Sequence, residues 1–313
     1  MSIKNLASEG YVGRYAPSPT GRMHFGNLRT ALLAWLHARL HKGRFLLRME
    51  DLDIPRVVAG SAQQIVNDLQ WLGLDWDDAI YVQSRSQINY HETFEQLRVQ
   101  RLVYPCFCSR KDIQLALSAP HGTSSSYPGT CSGLTEQERN EKSQEKNPAW
   151  RFRVPQNEIL FNDGCGESVT ESLPDSCGDF VVKRADGLYA YQFAVVVDDI
   201  KQGITNVVRG ADLLQSTARQ ISLYETLGSA VPEFWHVPLM VDKTNARMSK
   251  RDGSDSLEQW QKEGRSASEL VGYLAHSLGL LPPGQSLCAG ELLDEMVCEE
   301  FQDRVRLGQK LGL

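Results

Sequence analysis

The stretch YVGRYAPSPTGRMHFGN, residues 11–27, places arginines, glycines and a histidine directly before an apolar helical pattern. Its prolines fix the backbone, and Gly21 and Gly26 allow turns or close approaches that a Cβ atom would prevent. His24 is expected near the amino terminus of the helix, where free N–H groups and the helix dipole attract phosphate. These residues predict a turn that holds an anionic ligand, although a turn that only caps a helix uses similar residue types.

The opening turn does not match two common nucleotide-binding loops. Gly21 and Gly26 have the spacing of a P-loop, but Asn27 and Leu28 stand where that motif has Lys and Ser or Thr. The GxGxxG pattern of dinucleotide-binding folds is absent from this stretch as well. The sequence therefore predicts neither a P-loop nor a dinucleotide site here.

A second candidate is the basic run RMSKRDG, residues 247–253, in which Lys250 lies between Arg247 and Arg251. Taken alone, such a run is typical of a solvated surface loop. The pair Asp198 and Asp199, which follows an apolar run, suits a metal, a ribose or a cap at the end of an element. We do not assign this aspartate pair to the site.

A third candidate is the sequence Cys106-Phe107-Cys108, followed by Cys131. Three thiols this close suit zinc, which structural sites hold with four tetrahedral ligands. His121 lies between them and is by residue type the commoner fourth ligand, while unpaired buried cysteines are the alternative interpretation. The chain has 7 cysteines, an odd number that indicates reduced thiols rather than a disulfide framework. The remaining cysteines show no metal-like clustering: Cys165, Cys177, Cys288 and Cys298.

The surrounding pattern predicts an α/β fold. Apolar runs at residues 10–15 and 44–49 predict buried strands, and the helical pattern between them, at 27–40, completes a βαβ unit. Such units build a doubly wound parallel sheet, which binds ligands at the carboxyl ends of its strands. Glu50 follows the second strand and is expected at that edge. Residues 189–210 are read as returning strands of the same sheet.

Changes in composition along the chain predict four segments. A Ser-, Gly- and Pro-rich stretch and a charged stretch lie between the two sheet-like regions, and they indicate an inserted subdomain. The predicted segments are the first half of a split, Rossmann-like α/β domain (8–100), the insertion (101–184), the second half of that domain (185–254) and a helical C-terminal region (255–313).

Composition restricts the class of protein. The 313 residues are 41% hydrophobic and 23% charged, which is ordinary for a globular protein with a sizeable core. A formal net charge of −6 argues against nonspecific coating of nucleic acid. The sequence lacks a long apolar run and a charged-then-apolar leader, so we expect a cytoplasmic protein with no membrane partner.

Six segments resemble the catalytic domain of glutamyl-tRNA synthetases, within the class I aminoacyl-tRNA synthetases, in both order and spacing. They are YAPSPTGRMHFGN, LLRMEDLDIPR, FAVVVDD, VVRGADLL, WHVPL and RMSKR. In this family the first motif cradles ATP and the last lays a lysine, here Lys250, on the phosphates. The opening motif keeps His24 and Gly26 of the family's HIGH pattern but reads HFGN, and the last begins with Arg247 rather than Lys.

Two features resemble a truncated paralogue within this family, which attaches glutamate to queuosine in the anticodon loop of tRNA(Asp). Residues 209–214 read RGADLL where glutamyl-tRNA synthetases typically have a Glu-Asp-His-Leu stretch. The segment after Arg251 is too short for an anticodon-binding domain, so we expect none. The resemblance implies a ligase that activates L-glutamate with ATP in the absence of tRNA and then transfers it to queuosine.

The resemblance also implies the site residues. Catalysis is expected from His24 and Lys250, with Mg²⁺ accompanying ATP as substrate. The implied glutamate-binding residues are Arg14, Tyr15, Ala16, Pro17, Ser18, Glu50, Tyr191 and Arg209. The implied ATP-binding residues are His24, Gly26, Asn27, Met248, Ser249 and Lys250. One structural Zn²⁺ is expected on Cys106, Cys108, Tyr127 and Cys131, because the family uses the tyrosine of a Tyr-Pro-Gly-x-Cys stretch, with His121 kept as the alternative.

The implied partners are L-glutamate, ATP and tRNA(Asp) that carries queuosine, and we expect a monomer. Two other functions remain open at this point. One is charging of a tRNA 3′ end by a discriminating glutamyl-tRNA synthetase, and the other is a catalytically inactive paralogue that binds tRNA.

Overall fold

The computed structural model describes residues 10–117, 126–240 and 257–310. Within these ranges the strands are β1 (Val12–Tyr15), β2 (Arg44–Met49), β3 (Asp77–Val82), β4 (Val103–Cys106), β5 (Ala149–Phe152), β6 (Ile159–Asn162), β7 (Ser168–Glu171), β8 (Phe180–Lys183), β9 (Asn206–Gly210) and β10 (Glu233–Val237).

The helices of the same ranges are α1 (Phe25–Leu40), α2 (Ser61–Trp71), α3 (Gln87–Val99), α4 (Arg110–Leu117), α5 (Glu136–Glu145), α6 (Leu173–Ser176), α7 (Tyr191–Gln202), α8 (Thr217–Thr226), α9 (Leu257–Lys262), α10 (Ala267–His276), α11 (Ala289–Glu295) and α12 (Cys298–Lys310). Three short 3-10 helices lie at Ile54–Arg56, Gln83–Arg85 and Ala211–Ser216. Among the described residues, no helix has the length and apolar content that crossing a membrane requires.

The main sheet has five strands in the order β10-β9-β1-β2-β3, and every neighbouring pair is parallel. The predicted parallel α/β sheet is therefore confirmed, as are the two strands and the helix of the first βαβ unit. The strand order reverses between β1 and β9, because the chain leaves β1 toward β2 and returns on the other side. Such a reversal opens a crevice at the carboxyl ends of the two strands.

Helix α1 lies at the centre of the larger apolar core. Its side chains Leu28, Leu32 and Leu36 are fully buried, and the helix packs on β1, β9 and the C-terminal helix α10. An amphipathic surface helix would bury one face only. The C-terminal helices cover the side of α1 that faces away from the sheet, and Phe301 and Val305 of α12 belong to the same core.

One sequence prediction is wrong: the apolar run at the start of residues 189–210 is the helix α7 rather than a strand. Phe193 and the residues through Val197 are all buried, and an uninterrupted apolar run does not distinguish a buried strand from a buried helix. Gly203 ends the helix in the left-handed conformation with φ of 66°. Only the second part of the run, Asn206–Gly210, is a strand.

The chain between α3 and α7 forms smaller sheets. Strands β4, β5 and β8 make a three-stranded antiparallel sheet, and β6 and β7 make a hairpin. Asp163, directly after β6, forms a parallel bridge with Phe234 of β10. The hairpin is thereby attached to the edge of the main sheet.

Candidate active site

A cavity of about 560 Å³ opens at the carboxyl ends of β1, β2 and β9, where the strand order reverses. Its position is the one at which open parallel sheets bind ligands, and its volume suits a small molecule. Every implied glutamate- or ATP-binding residue that the structure describes lines this cavity: Arg14, Tyr15, Ala16, Pro17, Ser18, His24, Gly26, Asn27, Glu50, Tyr191 and Arg209. Met248, Ser249 and Lys250 lie outside the described residues.

The loop between β1 and α1 is held in place by neighbouring segments. Glu50 donates its backbone N–H to the Pro17 carbonyl at 3.0 Å. Gly21, with φ of 125°, donates its N–H to Ser61 Oγ at 3.0 Å and accepts a hydrogen bond from that hydroxyl at 2.7 Å. A side chain would strain the backbone at Gly21. The loop therefore offers a preformed cavity wall, fixed to the end of β2 and the start of α2.

His24 is the N-cap residue of α1, and its backbone N–H donates to Asn27 Oδ1 at 3.3 Å. A Cβ atom on Gly26 would lie 3.0 Å from the Cε1 and Nδ1 atoms of the His24 ring, which is tighter than an ordinary contact. The glycine therefore leaves the imidazole room to lie across the first turn. The turn brings a ring nitrogen and helix N–H groups to one wall of the cavity, and this combination suits phosphate.

A buried ion-pair network holds Arg14 and Glu50, two residues that line the cavity. Asp199 Oδ1 accepts from Arg48 Nη1 at 2.6 Å and from Arg14 Nε at 3.3 Å, and Tyr224 donates to Oδ2 at 3.0 Å. Burial raises the pKa of Asp199, but the charges of Arg48 and Arg14 outweigh burial and hold it below the ordinary value. Asp199 therefore remains an anion between two arginines.

Among the described residues, Glu50 is one of two acidic residues that line the cavity, the other being Asp212. Arg48 Nη2 donates to its Oε1 at 3.3 Å. Burial raises the pKa of Glu50 above its ordinary value, although the charges of Arg48 and Arg14 act in the opposite direction. A cationic ligand group in the cavity would favour the charged form of Glu50, because an opposite charge favours ionisation.

Arg209 lies at the end of β9 with 5% of its surface exposed. Its guanidinium donates to His236 Nε2 at 3.1 Å, Gln220 Oε1 at 2.6 Å and Thr217 Oγ1 at 2.8 Å. Burial lowers the pKa of Arg209, and within the described ranges no carboxylate forms an ion pair with it. A buried cation with neutral partners, on the wall of an open cavity, is suited to an anionic ligand.

Tyr191 is the first residue of α7, and 38% of its surface is exposed toward the cavity that it lines. The phenol hydroxyl can donate or accept a hydrogen bond. Tyr191 and Glu50 thus add polar groups to a lining that also contains Arg14 and Arg209.

The cysteine cluster forms a separate site in the smaller antiparallel sheet. The sulfur atoms of Cys106, Cys108 and Cys131 all lie within 4.8 Å of one another, and Cys108 and Cys131 are 3.6 Å apart. The Tyr127 hydroxyl lies 3.3 Å from Cys106 Sγ and 3.8 Å from Cys108 Sγ. Sulfurs on a tetrahedral zinc are about 3.8 Å apart, so the cluster can bind a metal.

The charge around Cys106 also suits metal binding. Arg151 Nε donates to Cys106 Sγ at 3.3 Å. Burial raises the pKa of the Cys106 thiol, but hydrogen bonds from Tyr127 and Arg151 bring it below the ordinary value. Thiolates are the form of cysteine that binds metals. His121, the alternative fourth ligand, lies outside the described residues.

Sequence reasoning missed the buried residues whose hydrogen bonds hold the cavity-lining side chains in place. Arg48 and Asp199 carry the ion-pair network, and Gln220, Thr217 and His236 hold Arg209. Arg48 was detectable as a charged residue inside the apolar strand RFLLRM, since a buried charge requires a partner. The aspartate pair at 198–199 could not be assigned from the sequence, because an Asp pair after an apolar run is about as common in a turn or a helix cap as in a site.

Comparisons with known proteins agree with this geometry. Residues 11–298 match the family model described as tRNA synthetases class I (E and Q), catalytic domain. A protein of Symbiobacterium thermophilum named glutamyl-Q tRNA(Asp) synthetase is 45% identical over 293 residues, which cover 90% of each chain. A protein of the same name from Burkholderia cenocepacia is 48% identical over 255 residues, which cover 80% of this chain and 83% of the relative.

Solved structures give the same fold. The crystal structure of glutamate-tRNA synthetase from Elizabethkingia anophelis superposes with a TM-score of 0.81 and 26% sequence identity, over 97% of this chain and 70% of that one. The chain therefore belongs to the family of the glutamyl-Q tRNA(Asp) synthetases, ligases among the class I (E and Q) tRNA synthetases.

Proposed function

We propose that this chain activates L-glutamate with ATP in the absence of tRNA and transfers the glutamyl group to queuosine in the anticodon loop of tRNA(Asp). The observation that carries the proposal is Arg209. Its guanidinium is buried, lines the cavity and has hydrogen-bond partners that are all neutral. A substrate carboxylate supplies the missing charge. The names of the relatives support the acceptor.

Glutamate has two carboxylates and one ammonium group, and the cavity offers groups of opposite charge. Arg209 and Arg14 receive the carboxylates, because the guanidinium fork matches a carboxylate in a bidentate manner. Glu50 receives the ammonium group. The Tyr191 hydroxyl fixes the orientation of the amino acid between them.

Activation joins the α-carboxylate of glutamate to the α-phosphorus of ATP. A carboxylate oxygen forms a bond to phosphorus, the bond from phosphorus to the bridging oxygen of pyrophosphate breaks, and glutamyl-adenylate remains. His24 and the amino terminus of α1 contact the phosphates, and Lys250 neutralises the leaving pyrophosphate. Mg²⁺ enters with ATP. Catalysis then depends on positioning and charge stabilisation, without a covalent enzyme nucleophile.

Transfer uses the adenylate as an activated acyl group. The oxygen of a queuosine hydroxyl forms a bond to the carbonyl carbon of the anhydride, and the bond from that carbon to the bridging oxygen breaks. AMP leaves with the bridging oxygen, and the hydroxyl proton is released. We further propose that Cys106, Cys108, Cys131 and Tyr127 bind one structural Zn²⁺. Three clustered sulfurs and a phenol oxygen beside them support that set.

The first test follows labelled glutamate. The protein is incubated with ATP, labelled glutamate and tRNA(Asp), prepared either with queuosine or with unmodified guanosine. We expect label on the modified RNA alone, and glutamate-dependent pyrophosphate exchange without any RNA. If both preparations carry label, and removal of the tRNA 3′ end also removes that label, the result would instead support 3′-terminal charging. Absence of exchange would support an inactive tRNA-binding paralogue.

A further inference from the structure

The WHVPL motif contains a residue to which the proposed reaction assigns no role. His236 lies on β10 and is the register partner of Arg209 on β9. It is 3% exposed, and its Nε2 accepts the hydrogen bond that Arg209 donates from Nε, at 3.1 Å. The Thr217 hydroxyl lies 3.0 Å from the same nitrogen. His236 is therefore the hydrogen-bond partner of Arg209 on the neighbouring strand.

This hydrogen bond determines the tautomer of the imidazole. Because Nε2 accepts from the guanidinium, the ring proton must be on Nδ1. Nδ1 lies 3.3 Å from Asp163 Oδ2, an electrostatic contact whose angle is outside that of a well-formed hydrogen bond. Burial lowers the pKa of His236, which keeps the ring neutral beside Arg209. A proton on Nε2 would instead face the Arg209 Nε–H group.

Asp163 is itself firmly placed. Its Oδ1 accepts the backbone N–H groups of His236 at 2.9 Å and of Cys165 at 3.2 Å. Gly164 donates its N–H to the Phe234 carbonyl at 2.8 Å. A Cβ atom on Gly164 would come within 2.3 Å of the Trp235 ring, so a glycine is required for this close approach. The segment after β6 thus holds Asp163 against β10.

We propose that Asp163 and His236 are positioning residues for Arg209 in the amino-acid site. Asp163 holds the imidazole proton on Nδ1, and Nε2 then fixes the plane of the guanidinium before a carboxylate arrives. The inserted segment completes the amino-acid site in this way, although none of its residues needs to contact the substrate. The inference rests on the proposed activation of glutamate.

Asp163→Asn tests the tautomer. The two backbone N–H groups hold the amide oxygen at the Oδ1 position, so the amide NH₂ faces His236 Nδ1 and drives the ring proton to Nε2. We expect the glutamate KM for pyrophosphate exchange to rise about 10-fold, since one charge-assisted hydrogen bond is lost. The ATP KM and the kcat at saturating glutamate are expected to change by less than about 3-fold, because the groups around ATP do not move. Asp175→Asn, exposed in the same segment, is the matched control.

A second pair of variants separates positioning from packing. In His236→Gln the amide oxygen reaches the Nε2 position and keeps an acceptor for Arg209, whereas in His236→Asn the amide reaches only the Nδ1 position. We expect Gln to retain most of the affinity for glutamate and Asn to raise the glutamate KM. Melting temperatures verify that both variants fold.

The outcomes distinguish the two proposals. Wild-type protein without glutamate-dependent exchange would overturn the proposed function. Wild-type exchange together with an unchanged glutamate KM in Asp163→Asn and His236→Asn would overturn only the positioning role. Equal changes in the KM values for glutamate and ATP would also overturn it, since they would indicate general damage to the fold.

Discussion

At the scale of single residues, the cavity depends on a balanced set of buried charges. Arg14 and Arg48 share the carboxylate of Asp199, and Arg48 also contacts Glu50. Removing one member of such a set leaves a buried charge without compensation, which costs more than the pair contributes. Asp199 has the central position because both arginines approach the same oxygen atom.

Asp199→Asn is expected to destabilise the protein by about 3 kcal/mol and to raise the glutamate KM, because Arg14 loses the anion that orients it. Denaturant unfolding and pyrophosphate exchange measure the two effects. Asp198→Asn is the matched control, since among the described residues Asp198 accepts hydrogen bonds from the neutral side chains of Tyr81, Gln83 and Tyr90. The control is expected to lose stability without a change in glutamate KM. An unchanged KM in Asp199→Asn would contradict the role of this network.

At the scale of elements, α1 lines the cavity with its first turn and buries His37 near its carboxyl end. Gly26 in the first turn leaves space for the ring of His24. Toward the other end, the His37 ring is 2% exposed and lies 2.6 Å, by its Nδ1, from the Tyr11 hydroxyl. The two ends therefore respond differently to substitution.

Gly26→Ala is expected to reduce activation without loss of stability. The new Cβ atom displaces the His24 ring, whereas alanine in a helix is favoured over glycine by up to about 1 kcal/mol. We expect kcat/KM for ATP in pyrophosphate exchange to fall by about 10-fold or more, from the loss of one phosphate contact. The unfolding midpoint is expected to stay equal or to rise. Full activity in this variant would exclude a role for the His24 ring position.

The pH dependence of stability tests the carboxyl end of α1. Burial, together with the neighbouring His41, lowers the pKa of His37 from 6.5 to about 3. The unfolded chain therefore binds more protons than the folded chain between these values, and stability falls as the pH drops below about 6.5. His37 contributes a slope of about 1.4 kcal/mol per pH unit in that window.

Denaturant unfolding at several pH values between 6.5 and 4.5 measures this slope. His37→Asn keeps an acceptor for the Tyr11 hydroxyl and removes the titrating group, so its slope is expected to be shallower than that of the wild type. His91→Asn, on an exposed part of α3, serves as control and is expected to keep the wild-type slope. Identical slopes in all three proteins would be inconsistent with a neutral, buried His37.

At the scale of the whole molecule, two long-range contacts hold the inserted segment. One joins the segment to the main sheet, and the other joins two parts of the segment to each other. Asp163 joins the hairpin to β10, and the cysteine cluster joins the end of β4 to the chain at Cys131. The three-stranded sheet is too small to bury a large apolar core. A zinc ion in the proposed metal site would therefore supply part of its stability. The insertion would then lose order when the metal is removed.

Metal analysis of the purified protein is expected to give about one zinc per chain. Cys108→Ser is expected to lose the metal and to increase proteolysis of the inserted segment, because three ligands cannot hold a structural zinc tightly. Cys177→Ser, which changes a cysteine outside the cluster, is expected to retain it. Tyr127→Phe tests the phenol as the fourth ligand, and full zinc content in that variant would favour His121 instead. Wild-type protein free of zinc would contradict the metal assignment.

Local sequence patterns were sufficient to predict the first βαβ unit. The apolar runs, the glycine-rich turn and the helix start are determined by neighbours in sequence, and the structure confirms the strands and α1 there. The same local information failed for α7, because a fully apolar run has no period. It also failed for β3, a partly exposed edge strand whose sequence begins with two aspartates.

The sequence by itself determined the cavity-facing residues, because Arg14, His24, Glu50 and Arg209 stand within or beside motifs of recognisable type and order. Only the tertiary structure decided which buried residues hold these side chains in place. Arg48 meets Asp199 across 151 positions of the chain, and Asp163 meets His236 across 73. Buried charges and polar groups must find partners, and folding, rather than proximity in sequence, decides which partners are within reach.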